Sequence, residues 1–198
     1  MTVVASIVEG DGEVAALPVL LRRLGEWRTP RVISHILPPI RVRRDRFLNR
    51  DEEFRRHLLL AAAKCGDAGW ILILLDADDD CPAEMGSKIL DRARECVPHR
   101  RISVVLAKRE FEAWFIAAAS SLNGHRGFVY DVNTAMDAET PRDAKGWIKS
   151  RRAEGSYRET TDQPAFAAQM DLAAALSGSR SFRKLCDEWD RQLGEPCG

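Results

Sequence analysis

The sequence contains no apolar run near the roughly 18 residues that a membrane-spanning helix needs, so a helical membrane protein is excluded as its plan. It also lacks net charge, because thirty Lys and Arg residues balance thirty Asp and Glu. Without a field of one sign, a polyanion or an anionic surface must be held by local patches or bound cations. The five cysteines, Cys65, Cys81, Cys96, Cys186 and Cys197, are scattered, odd in number and free of any Cys-x-x-Cys pair. That spacing speaks against a disulfide framework and a zinc ribbon, and points to free thiols in a reducing compartment. The P-loop pattern Gly-x-x-x-x-Gly-Lys is missing, which excludes ATP hydrolysis by that route. No Ser-His-Asp or Cys-His motif stands out, and His57, His99 and His125 have no metal-ligand spacing. His35, inside an apolar run, is expected to be a partly buried, satisfied side chain. Internal repeats and low-complexity tracts are absent too. Met1 to Val8 has no basic n-region and runs directly into acid and glycine, so it is not expected to be a secretory signal.

What remains is an ordinary globular composition: 198 residues, 45% hydrophobic and 30% charged. A chain of this size buries about 70% of its unfolded surface and needs no metal or disulfide staple. The expectation is one compact, cytoplasmic α/β domain, with a core over residues 1–122 and an irregular and helical extension over 123–198 packed on it. The oligomeric state is left open.

The pattern predicts alternating strands and helices. Val3–Val8 is short, β-branched and ended by Glu9-Gly10-Asp11-Gly12, as a buried parallel strand would be. From Glu13 the period becomes helical, with Val14, Leu17, Leu20, Leu21 and Leu24 before Gly25. Arg31–Leu37 reads as a second strand closed by Pro38-Pro39, and Phe54–Cys65 as a helix stopped by Gly66. Trp70–Leu75 is apolar throughout and ends in Asp76-Ala77-Asp78-Asp79-Asp80. Pro82 opens a helix through Cys96; Ile102–Leu106 is a fourth strand, and Glu110–Leu122 a helix. Beyond Gly124 the signal weakens, leaving helical pieces at Ala144–Lys149, Phe166–Leu176 and Phe182–Leu193. Strands alternating with helices predict a parallel four-stranded, Rossmann-like sheet flanked by helices, with a C-terminal helical extension.

In such a sheet, function gathers at the carboxyl ends of the strands. There the first strand carries Glu9, with Glu13 opening the next helix, and the third carries Asp76 and Asp78. In extended chain, residues two apart face the same way, so Asp76 and Asp78 converge while Ala77 points elsewhere. Carboxylates this close raise each other's pKa, and a divalent cation with all-oxygen ligation, Mg²⁺ or Mn²⁺, relieves the repulsion. The plainer reading of Asp79 and Asp80 is an N-cap for the helix at Pro82. Phe111, Trp114, Phe115 and Ala118 form a core stripe at helical spacing. Glu110 and Glu112 flank it where the macrodipole favours acids in any case.

These residues resemble the Toprim fold of topoisomerases, primases and overcoming-lysogenization-defect nucleases. The resemblance rests on Val8-Glu9-Gly10 with Glu13, on the apolar strand ending Asp76-Ala77-Asp78, and on Lys108-Arg109-Glu110-Phe111-Glu112-Ala113-Trp114-Phe115. The chain as a whole resembles the Toprim-like group labelled domain of unknown function 4276. That likeness is carried by I-V-E-G-D-G-E-V-A-A-L-P-V-L-L-R-R-L, R-E-F-E-A-W-F, T-D-Q-P-A-F and S-R-S-F-R-K-L. The resemblance implies Glu9 and Glu13 as ligands or general acid/base groups, Asp76 and Asp78 as metal ligands and Glu112 as an outer ligand. It implies two Mg²⁺ or Mn²⁺ ions about 4 Å apart, and a lysine near the scissile phosphate, Lys145 in preference to Lys108. A metal-dependent nuclease acting on DNA or RNA follows from the resemblance, as the effector of a phage-defence system with a separately encoded ATPase.

Two basic segments bear on such a substrate. Residues 41–56 hold seven arginines against four acids, and 141–158 hold six Lys or Arg against two acids, with Trp147 and Tyr157 between the charges. Flanking the acidic site, they would hold phosphates on either side of it; otherwise they are solvated faces. Other readings stay open. They are a non-catalytic binding or regulatory subunit of an ATPase-containing complex, a glycosyltransferase with an Asp-x-Asp clamp, and a receiver-like phosphoacceptor. The last lacks a hydroxyl at Leu106-Ala107-Lys108.

Overall fold

In the computed structural model, residues 1–134, 136–153 and 157–194 are described; Glu154 of the second basic segment and Cys197 lie outside them. β1 (Thr2–Val8) ends where Gly10 begins a turn, and α1 (Asp11–Arg28) follows. The helix starts two residues before Glu13 because that carboxylate reaches back: Oε2 accepts the Gly10 N–H at 2.6 Å, half of a capping box. It also runs past Gly25. This glycine is no stop signal but a point of close approach, since a Cβ there would lie 3.0 Å from Trp189.

The predicted strand Arg31–Leu37 is shorter and broken in two, β2 (Ser34–Ile36) and β3 (Ile40–Arg41). Both pair with β1, β2 along Thr2 to Val4 and β3 along Ile7 and Val8. They therefore share one edge position, interrupted at Pro38-Pro39, which have no N–H for the ladder. His35 is exposed on this edge rather than buried. Next come α2 (Arg44–Asn49), which the pattern did not foretell, and α3 (Asp51–Cys65), ended by Gly66 at φ 71°.

β4 (Trp70–Asp76), α4 (Pro82–Cys96) and β5 (Arg101–Ala107) complete the sheet, whose order is β2-β1-β4-β5 with every pairing parallel. The N-cap of α4 is Cys81, without a side-chain cap; Asp79 and Asp80 pair with arginines instead. The expected helix Glu110–Leu122 is only α5 (Ala113–Ala117) followed by a 3-10 turn. Arg109 has φ 65°, and the Phe111 N–H is turned to Asp76, so the first turn is lost to a loop. α6 (Ala144–Lys149) matches expectation and is capped by Asp143, which accepts from Gly146. The helix expected over 166–176 is two, α7 (Glu159–Gln169) and α8 (Leu172–Gly178), because Asp171 caps a new start. α9 (Arg180–Leu193) closes the described chain.

Strand alternation divides the core. Val4, Leu72, Leu74 and Val105 face α1 and the C-terminal helices, with Phe166, Phe182 and Trp189 filling that layer. Ala5, Ile73, Leu75 and Val104 face α3 and α4 on the other side. Phe166 is fully buried among Phe115, Phe128 and Tyr157. Phe166→Ala should therefore cost about 3–5 kcal/mol, read as a lower urea midpoint without a change in the far-ultraviolet spectrum of the folded baseline.

Candidate functional site at the carboxyl ends of the strands

Asp76 closes β4 in the same register as Leu72 and Leu74, so its side chain turns toward α1. Oδ1 accepts the Phe111 N–H at 2.8 Å. Its pKa is pushed well above the usual carboxylate range, first by burial and then by Glu13 and Glu112; Lys145 opposes the shift, and Glu9 adds to it. Glu13 is buried on the first turn of α1. Glu9 is half-buried and, among the described residues, takes no hydrogen bond or ion pair. Burial raises its pKa, Arg44 and Lys145 lower it, and Asp78 and Glu13 raise it.

Glu112 is fully enclosed just before α5. Oε1 accepts from Gln163 Nε2 at 2.7 Å and from the Tyr157 hydroxyl at 3.1 Å, whereas Oε2 is buried with no hydrogen-bond partner among the described residues. Burial pushes its pKa up to about 7, against the pull of Lys145, of the Gln163 hydrogen bond and of a backbone one. Lys145, on α6, gives its backbone N–H to Glu110 at 3.0 Å and sets its ammonium 3.3 Å from Glu159. Burial would lower its pKa, but the charges of Glu112, Glu159, Asp76 and Glu110 outweigh that and raise it.

Asp78 departs from the expected geometry. It lies beyond the strand at φ 49°, its N–H donating to the Arg109 carbonyl at 3.0 Å. The two-residue alternation therefore fails: Ala77 is buried on the opposite face, and the Asp78 side chain is 61% exposed at the rim. Arg44 straps this loop, with Nε 3.1 Å from the Asp76 carbonyl, Nη2 2.8 Å from Asp80 and Nη1 3.4 Å from Asp78. The structure thus brings Glu9, Glu13, Glu112 and Lys145 within electrostatic reach of Asp76, while Asp78 stays at the rim and acts on Glu9.

Sequence reasoning missed Arg44, Gln163 and Glu159, and treated Tyr157 only as an aromatic between charges. Nothing local marks them, because each meets its partner well along the chain: Glu159 is 14 residues from Lys145, and the others are more than 30 from theirs. The second basic segment is partly spent on structure. Arg152 and Arg126 pair with the buried Asp162, which also accepts the Arg158 N–H at 2.6 Å. Burial would raise the Asp162 pKa, yet these partners hold it below the ordinary value. Lys108 lies instead on a groove of about 870 Å³ between α4 and α9, away from the carboxylates. Cys65 and Cys186 are buried and Cys81 is exposed, all free thiols.

As donors for a hard cation the carboxylates fit in kind, being all-oxygen, and the unpartnered buried Oε2 of Glu112 fits a missing positive partner. In spacing they are not yet a shell: among the described residues, no three His, Cys, Asp or Glu side chains are gathered closely enough to hold an ion. No described helix is long and apolar enough to cross a membrane.

A parallel sheet with carboxylates converging where β1 and β4 end defines an α/β protein with an acidic site at the head of its sheet. The chain belongs to the family described as Domain of unknown function (DUF4276), whose model matches residues 8–189 and so takes in every residue of that site. No curated protein and no solved structure matches the chain.

Glu112 offers a direct check. A carboxyl raised on folding opposes the fold once ionised: the penalty is absent below the ordinary glutamate value of 4.5, grows with pH and is complete above about 7. Carbon-13 NMR of the glutamate carboxyls should show one midpoint near 7, moving higher in Lys145→Met as the opposing cation is lost.

Proposed function

We propose that the chain is a divalent-metal-dependent nuclease, hydrolysing phosphodiester bonds of DNA or RNA at the acidic site, in the manner the Toprim resemblance implies. The observation that carries this reading is the environment of Asp76. A part-buried carboxyl at a strand end is pushed toward neutrality first by desolvation and then by Glu13, Glu112 and Glu9, with Lys145 as the opposing cation. Such mutual repulsion is what bound cations relieve. Glu9, Glu13, Asp76 and Glu112 would hold Mg²⁺ or Mn²⁺, two ions by the resemblance, with Asp78 joining from the rim. When bound, the ions supply water activation and charge stabilisation at the leaving oxygen.

The chain's own groups have separate tasks. Glu9, half-buried, raised in pKa and without a hydrogen-bonding partner among the described residues, is suited to take a proton from an attacking water. Lys145 stays charged across the neutral range and presents positive charge to the non-bridging phosphate oxygens. Gln163 and Tyr157 keep Glu112 oriented through Oε1, leaving Oε2 for a ligand. By analogy with large nucleases that fuse this fold to an ATPase, a separately encoded ATPase is the partner and phage defence in the cytoplasm the setting.

One observation favours a non-catalytic regulatory subunit instead. Arg44 already neutralises Asp78 and Asp80, and Lys145 sits among the inner carboxylates, so the site is partly compensated from within. Cleavage of labelled plasmid, linear DNA and RNA separates the readings. With Mn²⁺ or Mg²⁺ the purified protein should cut, EDTA should abolish cutting, and Asp76→Asn should lower the rate at least about a hundredfold while circular dichroism stays unchanged. A folded protein that binds metal and cuts none of these substrates is the regulatory subunit; one that also binds no metal overturns the assignment of the carboxylates.

A further inference from the structure

A second concave site opens beside the carboxylates, and its chemistry is the reverse of theirs. Arg41, Arg43, Arg46 and Arg56 line a pocket of about 270 Å³ together with Glu53 and His57. The sequence explains how they converge. Around β3 the chain is extended, so Val42 turns inward, 4% exposed, while Arg41 and Arg43 emerge together. Arg46 follows one turn on in α2, and Arg56 comes from α3. Phe47, fully buried against Phe54, and Val42 form an apolar floor that holds the guanidinium groups at the rim.

Charge in this pocket is not balanced from within. Arg56 pairs with Glu53 at 2.8 Å and Arg41 with the exposed Asp11 at 3.1 Å, but Arg43 and Arg46 have no acidic partner among the described residues. His57 is fixed in orientation. Its Nδ1 lies 2.7 Å from the Glu53 carbonyl, which only accepts, so Nδ1 carries the hydrogen and Nε2 is left for a ligand. Planar guanidinium forks around one small concavity match the oxygens of a phosphate.

Its place in the fold gives that phosphate a role. Arg41 pairs in register with Val8, one residue before Glu9, and Val42 donates its N–H to the Val8 carbonyl at 2.8 Å. Within this one segment Arg44 turns to Asp76, Asp78 and Asp80, whereas Arg41, Arg43 and Arg46 turn to the pocket. We infer that the Arg41–Arg43–Arg46–Arg56 pocket seats a backbone phosphate of a nucleic-acid strand that runs from it across the adjoining carboxylates. The inference names the substrate contact of the proposed nuclease and rests on that reading, but the seat itself needs no metal.

Binding is therefore measured in EDTA, by fluorescence anisotropy of a labelled 12-nucleotide single strand over a range of salt. Arg43→Ala/Arg46→Ala should weaken binding at least about tenfold and flatten the slope of log affinity against log salt by about 0.7 for each lost phosphate contact. Arg22→Ala/Arg31→Ala removes equal charge from exposed positions elsewhere and should leave the slope within error. Unfolding midpoints of both variants show that each is folded; should the alanine pair fail to fold, Arg43→Gln/Arg46→Gln takes its place. Equal loss in both pairs, or unchanged binding in the pocket pair, overturns the seat. So does a wild type that binds no strand, including one whose His57 resonance responds to inorganic phosphate alone, which would make this a free-phosphate site. Strand binding lost with the pocket while metal-dependent cutting is absent would retire the nuclease and keep the seat; cutting with binding indifferent to the pocket would do the opposite.

Discussion

The electrostatic strain around Asp76 is the constraint on which the rest of the site depends. β4 is apolar on both faces and delivers its last side chain into a space already occupied by Glu13 and Glu112. Folding cannot avoid that meeting, because register fixes Asp76 beside Ala107 and α1 starts at Asp11 behind its Gly10 N-cap. The chain responds with a half-buried lysine, a strapping arginine and a hydrogen bond from α7, each arriving from a different element. Compensation of one carboxyl thus draws on α2, α6 and α7 together. Uncompensated burial of this kind costs stability, and proteins retain it where the charges are used.

The two basic features differ in how they are used. In the C-terminal segment Arg152 is folded inward to satisfy Asp162, joined there by Arg126 from outside the segment, a structural role that net charge along the sequence could not distinguish from a binding patch. The earlier segment leaves Arg43 and Arg46 without an acidic partner among the described residues and presents them around a concavity. A run of arginines therefore has two fates, decided by whether the fold places a buried acid within reach.

Much of this was legible in the residues and some was not. β1, β4 and β5 announced themselves because strands buried on both faces are continuous apolar runs, and α6 lies where the helical piece Ala144–Lys149 was expected, with a cap from Asp143 that the structure supplies. The aromatic stripe Phe111, Trp114, Phe115, Ala118 is core, as its spacing indicated. β3 and α2 were hidden, since two paired residues and one and a half turns carry no periodic signal. Asp78 escaped because the strand ends at Asp76 and a left-handed residue follows, a choice made by pairing with Arg109 rather than by local preference. Gln163 and Tyr157 escaped for a deeper reason: their value lies wholly in a contact with Glu112 about fifty positions away.

The packing of α7 across α1 has a temporal consequence. Gln163 presses against Gly12, where even a methyl group would collide with its amide, while the same side chain donates to Glu112. The opening turn of the acidic site and its rear support therefore come from distant stretches of chain. On a ribosome, Glu9, Glu13 and Asp76 emerge long before Tyr157 and Gln163, and during that interval Glu112 has neither of its side-chain donors. A nascent chain is consequently born with its acids unassembled, and the organised centre comes into being only as synthesis passes α7. Any shorter length of the chain that stops before Tyr157 holds Glu112 without the two side chains that orient it.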